Sequence, residues 1–106
     1  IEELLRFANT PEHTIDYYLF HQPNRFMLEK LAAKMKVDPA RMPSNVVENF
    51  GNSSGASIPV NIALNLAHVL PTQTLRVCLA GFGSGLTWSS MLLNLGPLRF
   101  CSMQSL

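Results

Sequence analysis

The sequence predicts an α/β fold: a mixed sheet of three parallel strands plus an antiparallel final strand, with helices on both faces. Three observations predict it. Apolar spacing alternates between helical stretches and short β-branched or aromatic runs, giving the order α-β-α-β-α-β-β over 106 residues. Right-handed crossovers make the first three strands parallel, and a parallel sheet needs cover on both faces. Polar or glycine-rich breaks at His21, at Asn52 and at Gly83-Ser84-Gly85 each follow a predicted strand, on the edge where α/β sheets gather ligands.

Ile1–Ala8 has apolar residues at helical spacing, and Asn9-Thr10-Pro11 stops it. The chain opens as if in mid-helix, which predicts a piece of something longer. Ile15–Phe20 is short, aromatic and β-branched, hence a buried strand. After His21-Gln22-Pro23-Asn24, with Asn24 as a helix cap, Phe26–Met35 sets Met27, Leu31 and Met35 on one side and Lys30 and Lys34 on the other. Asp38–Arg41 makes a one-turn helix or a turn leading to a second strand, Asn45–Phe50. Ser57–Leu70 reads as a helix apolar nearly all round and so buried between layers, with Pro59 tolerated in its first turn. Leu75–Ala80 and Leu86–Leu95 are the third and fourth strands, joined by a glycine-rich bend. The whole is one domain, residues 1–106, in which residues 97–106 form a tail with no assigned structure.

Eight Lys and Arg against seven Asp and Glu leave a net charge of +1, no field for holding nucleic acid or an anionic membrane. No apolar run reaches the roughly 18 residues of a bilayer span. Beyond Glu48 the only charged side chains are Arg76 and Arg99, where an average stretch would carry roughly fourteen. So little charge predicts a half-domain whose partner covers that surface, over a merely apolar small domain.

Taken singly, the polar positions have plain readings. His21 suits a structural histidine after a buried strand, and Asn24 a helix cap. Asn52 suits a loop residue opening a helix; Asn52-Ser53-Ser54 also fits a glycosylation sequon, which nothing else supports. Gly81, Gly83 and Gly85 allow a tight hairpin and match neither a dinucleotide fingerprint nor a hydrolase elbow. His13 and His68 lack partners at ligand spacing, the two cysteines form no zinc pattern, and Cys78 belongs to the core. No metal is expected.

Together, however, His21-Gln22-Pro23-Asn24, Gly51-Asn52-Ser53-Ser54-Gly55-Ala56-Ser57-Ile58-Pro59 and Gly81-Phe82-Gly83-Ser84-Gly85-Leu86-Thr87-Trp88 stand in the order and intervals of a known pattern. The chain resembles the C-terminal part of ketoacyl-ACP synthase III, of the thiolase-fold condensing enzymes, from about Ile1 to Leu95. Pro23 stands where that family commonly has Ala, and Gly96–Leu106 extends past its usual end.

The resemblance implies the C-terminal half of a thiolase-like fold, incomplete relative to the intact enzyme. It implies a cytoplasmic acyltransferase of fatty-acid initiation that condenses an acyl group from acyl-CoA with malonyl-ACP, losing CO2. His21 and Asn52 would be the catalytic donors to the enolate oxygen, with His21 neutral because the helix starting near Asn24 disfavours a second proton. The Ser84 backbone N–H would belong to an oxyanion hole, with Gly83, Gly85 and Asn24 in support. No cofactor is implied beyond the coenzyme A thioester and the phosphopantetheine of acyl carrier protein. The implied partners are acyl carrier protein, acyl-CoA and the enzyme's N-terminal half, in a homodimer when intact, and neither nucleic acid nor membrane. Arg25, Lys30 and Lys34 would face the acidic carrier protein or simply solvent. The nucleophilic Cys lies in the absent half, so the fragment alone would be inactive; neither Cys78 nor Cys101 takes its place. Two alternatives stand beside this one: a related condensing enzyme making polyketides, alkylquinolones or ketones, and a non-catalytic folding or dimerisation module.

Overall fold

The computed structural model describes residues 2–21, 24–51, 56–83, 87–99 and 101–102. Helix α1 (Glu2–Phe7) leads through a 3-10 turn (Glu12–Thr14) into strand β1 (Tyr17–Phe20). Helix α2 (Arg25–Met35), a second 3-10 turn (Pro39–Arg41), helix α3 (Asn45–Phe50) and helix α4 (Ser57–Leu66) follow. Strands β2 (Leu75–Gly83) and β3 (Thr87–Leu95) close the fold.

Local chemistry sets the ends of α2. The Asn24 side chain accepts a hydrogen bond from the Met27 N–H at 2.8 Å, satisfying one of the donors a helix start leaves open. At the other end Lys36 turns left-handed, at φ 56°, and its N–H closes onto the carbonyls of Ala32 and Ala33. Leu28 and Ala32 supply the buried side.

The expected second strand, Asn45–Phe50, is α3 instead. Its valine pair favours a strand locally, but the helix buries Val46 completely and closes its own polar groups. Asn49 Nδ2 donates to the Asn45 carbonyl at 2.7 Å, and the N–H of Gly51, at φ 71°, reaches the Val47 carbonyl at 3.0 Å. The Asn45 side chain meanwhile bonds to Asn65 of α4, a tertiary contact invisible to local propensity. The sheet therefore has two parallel strands and one antiparallel, rather than three and one, in the order β1-β2-β3. Tyr17 to Phe20 pair with Val77 to Ala80 in parallel, and Leu75 to Gly83 pair with Leu95 back to Thr87.

Side chains alternate across this sheet and build a core on each face. Tyr18, Phe20, Cys78 and Ala80 pack with Leu5 of α1 and with Leu28 and Ala32 of α2. Leu19, Leu75 and Val77 pack with Leu66 and Leu70 on the other side. Helices thus cover both faces, as the sequence predicts. Helix α4 departs from its expected form. Its regular part stops at Leu66, with turns carrying the chain to Leu70, and Ile58, Val60, Ile62, Ala63 and Leu64 are only half-buried. Two of its fully buried residues are polar, Ser57 and Asn61.

After β3, Gly96 adopts φ 96°, and a Cβ there would collide with the Gln73 carbonyl, so glycine is required. The Leu98 N–H then bonds the Leu70 carbonyl at 2.8 Å, and Leu98 and Cys101 lie against the α4-side core.

Candidate active site

His21 continues β1 by one residue, its N–H bonding the Ala80 carbonyl at 2.9 Å. Because β1 and β2 run parallel, the His21 connection and the end of β2 at Gly83 leave the sheet by the same edge. The His21 ring is half-buried, and its Nδ1 lies 2.6 Å from Ser57 Oγ, the first residue of α4. That contact spans 36 residues of sequence. It ties His21 to one flank of the connection that carries Asn52, whose other flank is Gly51 at the end of α3.

Asn52, Ser84 and Gly85 lie outside the described residues, as do Gln22 and Pro23. The Asn52 connection follows a helix, not a strand, and reaches the His21 edge because α4 begins beside the imidazole. Asn24 serves as the α2 cap described above, and Gly83 closes the β2–β3 ladder opposite Thr87.

Sequence reasoning missed Ser57, Asn61, Asn65 and Asn45. The first three recur every four residues, so they form one stripe along α4. Ser57 is 1% exposed and holds His21; Asn65 Nδ2 donates to Asn61 Oδ1 at 2.8 Å. Asn45 and Asn65 exchange amide hydrogen bonds of 2.8 and 2.9 Å, pinning α3 to α4. Asn61 Nδ2, fully buried, has no hydrogen-bond partner among the described residues. The four-residue recurrence was the available signal.

The remaining titratable groups stand apart from this chemistry. Burial pushes the Cys78 thiol up to about 11, so it is a poor nucleophile at neutral pH. Cys101 is half-buried, its S–H 4.0 Å from the Ile62 carbonyl. Tyr18 is held well above the usual phenol range, first by burial and then by Glu12, to whose carboxylate its hydroxyl donates at 3.1 Å. Arg41 binds the Ile15 carbonyl and pairs with Glu12 at 3.2 Å. On α2, Arg25 pairs with Glu29 at 2.8 Å, and the Lys30 Nζ stands 4.8 Å from the centre of the Phe26 ring. Among the described residues no group of three His, Cys, Asp or Glu is placed to hold a metal, and no helix is long and apolar enough to cross a membrane.

Comparison with known proteins gives the chain a lineage. The family model of the 3-oxoacyl-[acyl-carrier-protein (ACP)] synthase III C terminal matches residues 5–95. Beta-ketoacyl-[acyl-carrier-protein] synthase III of Streptococcus mutans is 38% identical over 90% of this chain, and that of Lactococcus lactis 40% identical over 90%. In each case the chain spans 30% of the relative's length. The crystal structure of a 3-oxoacyl-(acyl-carrier protein) synthase from Burkholderia xenovorans superposes with a TM-score of 0.89 and 40% identity, over 95% of this chain and 29% of that one. The α/β fold is accordingly an incomplete thiolase-like one, and the chain belongs to the family of 3-oxoacyl-[acyl-carrier-protein] synthase III C-terminal domains.

Proposed function

We propose that this chain supplies the enolate-stabilising part of a decarboxylative condensing enzyme, a 3-oxoacyl-ACP synthase III. In this reading the rest of the polypeptide carries a nucleophilic cysteine that takes an acyl group from acyl-CoA. Malonyl-ACP then loses CO2, and the electron pair of the broken bond becomes an enolate with its charge on the thioester oxygen. The enolate carbon attacks the acyl carbonyl, and the cysteine leaves as thiolate. His21 Nε2–H and the Asn52 amide donate to the enolate oxygen, and the Ser84 N–H joins the oxyanion hole for acyl transfer. Fixed donors aimed at a developing oxyanion account for a large share of such rate enhancements. Exposed Lys30 and Lys34 on α2 offer positive charge to an acidic carrier protein.

The observation that carries the reading is the bond from His21 to Ser57, which joins the His21 connection to the Asn52 connection. The direct test is release of labelled CO2 from malonyl-ACP by the full-length protein. His21→Ala or Asn52→Ala should slow it by roughly a hundredfold or more, while acylation of the cysteine survives. Near-normal CO2 release in both variants refutes the reading.

A further inference from the structure

We propose that the outer edge of β3 is a self-association surface, on which a second copy of the protein adds its own β3 antiparallel, about a two-fold axis at Met91. The inference is independent of the chemistry proposed for His21. The sheet runs β1-β2-β3, so among the described residues β3 pairs on one side only. It is nine residues long, about 30 Å, and its register with β2 runs from Leu95 to Thr87 without a bulge. Thr-Trp-Ser-Ser-Met-Leu-Leu-Asn-Leu holds no charged residue and no proline. Natural open edges are usually shortened, bulged, charged or interrupted by proline, because their unpaired N–H and C=O groups recruit other strands. Strand β3 has none of these protections. Leu92 packs into the core on the α2 face, and Leu93 and Leu95 into the core on the α4 face. Trp88 and Met91, by contrast, are 77% and 58% exposed, on opposite faces.

The partner that fits this edge is the same strand. Two copies of β3 related by a two-fold overlap along all nine residues only when the axis passes Met91, the middle of the strand. Met91 then faces Met91 of the second copy. Trp88 faces the second copy's Asn94, with its Leu92 on the diagonal of the same face. Asn94 stands opposite Arg76 in the β2–β3 ladder, and the Arg76 Nε lies 3.4 Å from Asn94 Oδ1. The Trp88 ring of each copy is thereby set beside the Arg76 guanidinium of the other, an aromatic face for a cation. No charge opposes a like charge along the ladder, since β3 carries none. A foreign strand added here would present a new open edge of its own, whereas the two-fold closes both edges at once.

The test uses the full-length protein. Met91→Cys, once oxidised, should form a disulfide between two copies at position 91, distinguished from Cys78 and Cys101 by peptide mass spectrometry. Met91→Lys and Met91→Glu each set like charges face to face on the axis. Each should weaken self-association in sedimentation by roughly tenfold or more, and an equimolar mixture of the two should restore it. Recovery in the mixture separates lost pairing from lost folding. Trp88→Ala should weaken association in the same direction. A folded Met91→Cys protein with no cross-link at position 91 overturns the proposal, as does an association constant unchanged in Met91→Lys. Outward-pointing amides of β3 that resist hydrogen exchange where the protein is monomeric would assign the edge to a strand of the remaining polypeptide, and would overturn it as well.

Discussion

Burial in the sheet makes the Cys78 thiol a weak acid, and that has a consequence for stability at alkaline pH. Its value rises from an ordinary 9.0 to about 11 in the folded protein. Well below pH 9 the thiol is protonated in both states and contributes no pH dependence. Between about 9 and about 11 the unfolded chain releases a proton that the folded chain keeps, so stability falls as pH rises through that window. Above it the slope disappears. Tyr18, also held above its ordinary value, adds its own loss at the alkaline end. Urea midpoints measured across this range should show the decline, and Cys78→Ala should remove most of it between pH 9 and 10, whatever it does to absolute stability. An unchanged slope in that variant would place the titrating group elsewhere.

At the scale of elements, what was legible depended on how locally each one is determined. Helix α2 could be read because its cap, its apolar face and its terminator are all neighbours in sequence, and Asn24 bonds Met27 as its position suggested. Helix α3 could not, because Asn-Val-Val-Glu-Asn-Phe has strand-like propensity and what holds it helical is an amide on another helix. Helix α4 was half legible: its existence was plain from apolar spacing, but its working face is the polar stripe of Ser57, Asn61 and Asn65. The candidate site shows the same split, since its motifs were visible in sequence while the bond between Ser57 and His21 required the packing of α4. The Asn45–Asn65 pair should therefore be energetically coupled. Either alanine replacement leaves a part-buried amide without its partner, at about 1–3 kcal/mol. A double-mutant cycle on urea unfolding should return a positive coupling, the double variant losing less than the sum of the two single variants. Strict additivity would mean the pair does not clamp α3 to α4.

The whole molecule bears the mark of an incomplete assembly. Its acidic residues all lie at or before Glu48, its later half is almost uncharged, and Trp88 on the edge strand β3 is 77% exposed. The relatives are more than three times as long as the part this chain matches, as the 30% coverage requires. The site proposed here has donors but, among its described residues, no competent nucleophile. Cys78 is sealed in the sheet with a raised thiol pKa, and Cys101 sits against the apolar cluster of α4, on the opposite face from Cys78. Covalent acyl transfer needs a thiolate in reach of the thioester, so the proposed function takes its acylated cysteine from the remaining polypeptide. The full-length protein carrying both Cys78→Ala and Cys101→Ala should still take one acyl group from acyl-CoA, and peptide mass spectrometry should map it outside these 106 residues. The 106-residue chain alone, incubated with the same thioester, should remain unlabelled. Label found on Cys101, or acylation abolished in a folded double variant, would return the nucleophile to this chain and end the division of labour proposed for it.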